Sequence, residues 1–126
     1  MTVVLDASAV LAYVKQESGE EVVDAVIGEA AISSVNWAEV VQKLGVLDIS
    51  VGGTLSELRA LGLAIAPFTA MDAAVTGKLW KNTKRYGLSL ADRACISLAI
   101  QLEVPVLTAD RVWKEIDLPV EVQLIR

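Results

Sequence analysis

The stretch TVVLDASAV (residues 2–10) decides how the rest of the chain is read. Val3, Val4 and Leu5 are apolar in succession, so neither face of the strand they form meets water, the pattern of a strand inside a parallel sheet. Asp6 follows without a spacer and stands at the C-terminal tip of that strand. In open parallel sheets the crevice beyond the strand tips is where ligands bind, but an acid at a tip can also simply stop a strand and start a helix. The other acids have to decide between these roles.

Outward from this stretch, strand and helix signals alternate. SAVLAYVKQ (8–16) and GEEVVDAVIGE (19–29) carry helical spacing, AAIS (30–33) is a short second strand, and VNWAEVVQKLGVL (35–47) is helical again. Val51-Gly52-Gly53 breaks the pattern before the helix LSELRALG (55–62), which Gly62 ends as a C-cap. LAIAPF (63–68) is a third strand. Thr69 starts a long amphipathic helix to about Gly87, Ser89 starts another to about Glu103, VPVLTA (104–109) is a fourth strand and VEVQLI (120–125) a fifth. Strands separated by helices need parallel crossovers, so the expected fold is a three-layer α/β/α sandwich with a central parallel sheet. At 126 residues, without linkers, repeats or low-complexity tracts, the chain reads as one domain.

Composition removes most chemistries. There is no histidine, which excludes histidine general bases, Ser-His-Asp and Cys-His nucleophiles and imidazole zinc sites. The one cysteine, Cys95, lies among Ala94, Leu98, Ala99 and Leu102 and reads as a buried core thiol. A formal net charge of −5 argues against coating nucleic acid by bulk positive charge, although a local basic patch is compatible with it. No apolar run approaches the roughly 18 residues of a membrane span and no basic leader precedes an apolar segment, so a soluble, cytoplasmic, unprocessed protein is expected. The 54% hydrophobic content is high for so small a chain and suggests that apolar surface around Trp37, Trp80 and Leu98 is covered by a partner.

Carboxylates are the chief reactive groups left. Asp6 ends the first strand, Glu39 lies just over a turn into the helix after the second, Asp92 opens the helix after Ser89, and Asp110 follows the fourth strand. Each has a plain structural explanation: Ser89-Leu90-Ala91-Asp92 has the form of a capping box, and so does Thr69-Ala70-Met71-Asp72, whose Asp72 is assigned capping alone. Helices that follow parallel strands begin on one edge of the sheet, so Asp6, Glu39 and Asp110 can converge there, with Asp92 joining if the fold brings it in. Clustered carboxylates repel one another unless a cation sits among them, and an all-oxygen donor set calls for a hard ion, Mg2+ or Mn2+ in its place. Carboxylate-held Mg2+ is the equipment of phosphoryl transfer. Ser8 and Thr108 can orient a ligand carboxylate or cap a helix, and Asn36, one turn before Glu39, can touch substrate or be a plain polar helix residue.

VVLDASAVLAYV (3–14), SSVNWAEV (33–40), LSLADRACISLA (88–99) and PVLTADRVW (105–113) together resemble the PIN-domain ribonucleases of the VapC toxin family, in order and across the whole chain. The resemblance implies strand order 3-2-1-4-5, a Mg2+-dependent endoribonuclease, a homodimer, and a VapB-type antitoxin whose amphipathic segment lies beside the site and presents a basic residue to it. Asp6, Glu39, Asp92 and Asp110 fall on the family's acidic cluster. Trp113 stands where some members carry a further acid, which implies one metal rather than two. Lys78, Lys81, Lys84 and Arg85 recur at helical spacing in GKLWKNTKRYG (77–87), as either a solvated face or an RNA-backbone contact. Arg93 and Arg111 each follow a proposed ligand, where they can meet phosphate or offset local negative charge.

Four alternatives compete with a toxin. One is a housekeeping PIN-domain nuclease. A receiver-like signalling domain needs a phosphorylatable Asp at the end of a middle strand, where AAIS and LAIAPF have none; a non-catalytic interaction module requires that the acids fail to converge. A haloacid-dehalogenase-like phosphatase needs Asp-x-Asp where this chain has Asp6-Ala7-Ser8.

Overall fold

A computed structural model describes residues 1–126. The strands are β1 (Val3–Leu5), β2 (Ala30–Ser33), β3 (Ala64–Ala66), β4 (Val106–Thr108) and β5 (Val122–Leu124). All pair in parallel, in the order β3-β2-β1-β4-β5. The helices are α1 (Ala7–Val14), α2 (Glu20–Asp24), α3 (Ser34–Val46), α4 (Val51–Leu61), α5 (Ala70–Lys78), α6 (Trp80–Thr83) and α7 (Leu90–Leu102).

The expected sandwich is present, and β1 shows why it forms. Val3 and Leu5 point into one core with Val10, Val40, Leu44 and Leu58 from α1, α3 and α4; Val4 points into the other with Cys95, Ile96 and Ala99 from α7. A strand with a core on each face has to be apolar at every position, and all three of its residues are buried. The chain winds from β1 through β2 to β3 on one side, then crosses back to β4 and β5 on the other. The reversal lies between β1 and β4, where a parallel sheet opens a crevice at its C-terminal edge.

Three local expectations need correction. The Gly52-Gly53 pair does not interrupt α4: Ser50 caps the helix by accepting a hydrogen bond from Gly53 N at 3.1 Å, so both glycines lie in its first turn. The long helix from Thr69 is instead α5, α6 and a 3-10 turn at Lys84–Tyr86, so the basic residues expected to share one helix face belong to three successive elements. Of the aromatic and leucine positions expected to be partner-covered, Leu98 is buried in the core on one face of the sheet and Trp37 packs half-buried against the core on the other, while Trp80 is exposed. Gly62 does end α4 in the left-handed region at φ 110°, and a Cβ there would sit 2.7 Å from the Gly28 carbonyl oxygen, so no other residue fits.

Candidate active site

Asp6 is the deepest acid. It is the N-cap of α1, its Oδ1 accepting from Ala9 N at 2.9 Å and from the Ser8 hydroxyl at 2.7 Å, while Thr108 Oγ1 donates to its Oδ2 at 2.6 Å. Ser8 and Thr108 are in turn fixed from the β4 side: Ala109 N donates to Ser8 Oγ at 2.9 Å and Asp110 N to Thr108 Oγ1 at 3.0 Å. Neither hydroxyl caps α1 itself; both spend their proton on Asp6, Ser8 from the first turn of α1 and Thr108 from the end of β4. Burial pushes the Asp6 carboxyl up from 3.8 to about 6, against the lowering effect of these three bonds, with the charge of Asp92 adding to the rise.

Glu39 and Asp92 approach from the helices above. Asn36 is buried, and its Nδ2 donates to Glu39 Oε1 at 3.0 Å and to the Ala91 carbonyl at 2.9 Å, tying α3 to the first turn of α7. It has no route to substrate and acts by positioning Glu39. Partial burial, partly offset by the Asn36 bond, and the charge of Asp92 raise the Glu39 carboxyl. Asp92 does close a capping box with Ser89, accepting from Ser89 N at 2.9 Å, yet it also faces Asp6 and Glu39 closely enough to shift both. Asp110, exposed at the rim, accepts from Val112 N at 3.0 Å.

Asp6, Glu39, Asp92 and Asp110 line one cavity of about 470 Å3 at the C-terminal edge of the sheet, together with Ser8, Leu11, Gln42, Lys43 and Val46. A second cavity of about 460 Å3, between α1, α2 and α4, also holds carboxylates, but these lie away from the crevice between β1 and β4. The chain's two ion pairs both involve Glu17, so no cation of the protein neutralises the four acids. The donor chemistry suits a hard divalent ion. No three of the side chains stand close enough to grip one as they are.

Other sequence expectations fall outside the cavity. Arg93 turns to α5, its Nη1 donating to the Thr76 carbonyl at 3.0 Å, and so does not face the acids. Arg111 is exposed on the 3-10 turn after Asp110 and is not part of the cavity wall. Lys78, Lys81, Lys84 and Arg85 are exposed elsewhere; Lys84 Nζ sits 4.7 Å over the Trp80 ring and Arg85 donates to Tyr86 Oη at 2.7 Å. Trp113 is fully buried in the core. Cys95 is buried behind the acids, its thiol pushed well up by burial and by Asp6, Asp92 and Glu39, which makes it inert. Lys43 was missed by sequence reasoning; its one signal is a place four residues after Glu39.

The Thr108 hydroxyl offers a direct test of this geometry. Thr108→Val keeps the shape but leaves Asp6 Oδ2 and the Asp110 N–H without a partner, and should cost about 1–3 kcal/mol of stability at pH 7. Because that bond is the largest influence lowering the Asp6 carboxyl, the acid limb of activity should move to higher pH, and Thr108→Ser should restore both properties. Thermal melts and a pH–rate profile measure them; an unmoved profile would mean that Asp6 does not depend on Thr108.

A three-layer α/β/α domain with carboxylates gathered where the order of a parallel sheet reverses belongs to the class that binds ligands beyond its strand tips. Residues 3–118 match the PIN domain family, and the chain belongs to that family. No curated protein matches the sequence. Among solved structures of similar fold, VapBC2 from Rickettsia felis bound to a promoter DNA fragment is 23% identical, with a TM-score of 0.70 over 98% of this chain and 98% of that one. DNA-bound VapBC from Salmonella typhimurium is 15% identical, with a TM-score of 0.71 over 100% of this chain and 99% of that one. VapBC-5 from Mycobacterium tuberculosis, of a toxin-antitoxin family, is 22% identical, with a TM-score of 0.61 over the same shares.

Proposed function

We propose that this chain is a Mg2+-dependent endoribonuclease, Mn2+ substituting, and the toxin of a VapBC-type toxin-antitoxin pair. The observation that carries the reading is the meeting of Asp6, Glu39, Asp92 and Asp110, from separate parts of the chain, at one cavity in a PIN-family domain. The four acids would hold the ion, with Asp6 the most firmly fixed of them. When bound, such an ion activates a nucleophile and neutralises charge building on the phosphate oxygens. The protein's own part is to hold Asp6 rigid through Ser8, Thr108 and Ala9, to orient Glu39 through Asn36, and to shape a cavity that admits a strand of RNA.

The partner reading follows from charge. A cavity with four carboxylates, none of them in an ion pair, against the single lysine Lys43 accepts a basic residue from an inhibitor, and a guanidinium can pair with two carboxylate oxygens at once. A VapB-type antitoxin supplying that residue is proposed, in line with the VapBC assemblies of similar fold. A homodimer is proposed to cover some of the exposed apolar side chains, among them Met71, Trp80 and Leu90. No helix is long and apolar enough to cross a membrane.

The test is cleavage of single-stranded RNA by purified protein. Activity should need Mg2+ or Mn2+ and vanish in excess EDTA; cleavage that survives full chelation would end the metal mechanism, since no histidine exists to replace it. Sequencing RNA ends after induced expression of the native chain and of Asp6→Asn should give the target. Co-expression with a short neighbouring reading frame should suppress cleavage. If it changes nothing and the chain purifies alone as a monomer, a housekeeping nuclease becomes the better account.

A further inference from the structure

The wall that α3 gives to the cavity runs well beyond the acids. Glu39, Gln42, Lys43 and Val46 are spaced i, i+3, i+4 and i+7 and so share one helix face, and all four line the cavity, with Leu11 of α1 also in its wall. Lys43 is the one lysine or arginine among the ten lining residues. Its ammonium is exposed and belongs to neither ion pair of the chain. The adjacent Glu39 does not claim it: Asn36 holds the Glu39 carboxylate from the N-terminal side, whereas Lys43 lies one turn in the C-terminal direction. Four residues of helix amount to about 6 Å along the axis, so Lys43 stands one step along the groove from the acid cluster. The basic segment 78–85 contributes nothing to this cavity.

We infer that Lys43 is the substrate-anchoring residue of the site, its ammonium pairing with a backbone phosphate of single-stranded RNA next to the phosphate being cleaved. This rests on the nuclease reading and adds to it a residue that sets the strand's register. A lone cation at one end of an anionic groove attracts the flanking phosphate and leaves the acidic end, once loaded with metal, to the scissile one. It acts on binding in the ground and transition states alike.

The binding test uses a fluorescein-labelled single-stranded RNA of mixed sequence and fluorescence anisotropy over a range of salt concentrations. Both proteins carry Asp6→Asn to prevent cleavage, and one also carries Lys43→Gln. The Lys43→Gln protein should bind about 5–10-fold more weakly at low salt, across sequences, and the slope of log affinity against log salt should shrink by about 0.7, the loss of one phosphate contact. Lys43→Arg in its place should keep both values. In the otherwise native chain with Mg2+, Lys43→Gln should raise KM and leave kcat within about twofold. If the Asp6→Asn protein binds RNA and Lys43→Gln changes neither affinity nor slope, the inference fails and the nuclease reading stands. If the native chain neither cleaves nor binds RNA, both fail together.

Discussion

Asp6→Asn should make the metal-free protein more stable at pH 7 while cutting RNA cleavage by at least about 100-fold, since even the loss of a group behind a metal ligand typically costs 10–100-fold. The stability effect comes from burial. Asp6 is 5% exposed, and its carboxyl is raised from 3.8 to about 6, worth roughly 3 kcal/mol between the neutral and ionised forms. A group whose folded-state value is raised contributes stability that is full below about pH 4 and is lost as pH climbs through about 6. Wild type in EDTA should therefore weaken across that window. The variant should not, because an amide stays neutral, still caps α1 through Ala9 N, and can donate to Thr108 Oγ1. At pH 7 the variant should melt several degrees higher in EDTA; at pH 4 the two should converge. Added Mg2+ should raise the wild-type melting temperature and leave the variant's unchanged. A variant less stable than wild type at pH 7 without metal would show that the three hydrogen bonds to Asp6 outweigh its burial.

Asp92 and Asp72 form a matched pair that separates capping from ligation. Both close a capping box, on α7 and α5 respectively. Asp72 is buried, accepts from the Thr69 amide and hydroxyl at 2.7 and 2.8 Å and from Gln101, and lies outside the cavity. Asp72→Asn should cost about 1–3 kcal/mol by disturbing those bonds, with cleavage per folded molecule unchanged. Asp92→Asn should lose about 0.3–1 kcal/mol of helix-dipole stabilisation and regain part of it by relieving Asp6 and Glu39, so its melting temperature in EDTA should fall less than that of Asp72→Asn. Its cleavage rate should drop by at least about 100-fold. A destabilised but fully active Asp92→Asn would reduce Asp92 to a cap.

The fold was legible wherever a short run of residues meets its whole environment locally. Val3-Val4-Leu5 is apolar on both faces because both faces are core, and AAIS is buried at every position for the same reason. The segment from Thr69 to Gly87 was misread because helical spacing persists through it while the backbone does not. Leu79 ends α5, Thr83 Oγ1 bonds back to the Leu79 carbonyl at 2.8 Å, and the chain tightens into a 3-10 turn that Gly87 closes at φ 74°. Periodicity reports which side chains are apolar, not whether the helix axis continues.

By itself, then, the sequence determined the α/β class, the parallel order once the PIN motifs were read, the absence of imidazole chemistry, and a shortlist of acids at strand tips and helix starts. Only the tertiary structure could tell Asp92 from Asp72, two acids that each close the same local capping-box motif. The packing of α7 against α3 and β1 carries Asp92 to the mouth of the crevice, while Asp72 is turned to Gln101 at the interface of α5 with α7. It also sent Arg93 to the Thr76 carbonyl and brought Lys43 to the cavity. Capping is satisfied by atoms within four residues and can be read from spacing; convergence depends on which helices pack together, and no spacing along one chain segment encodes that.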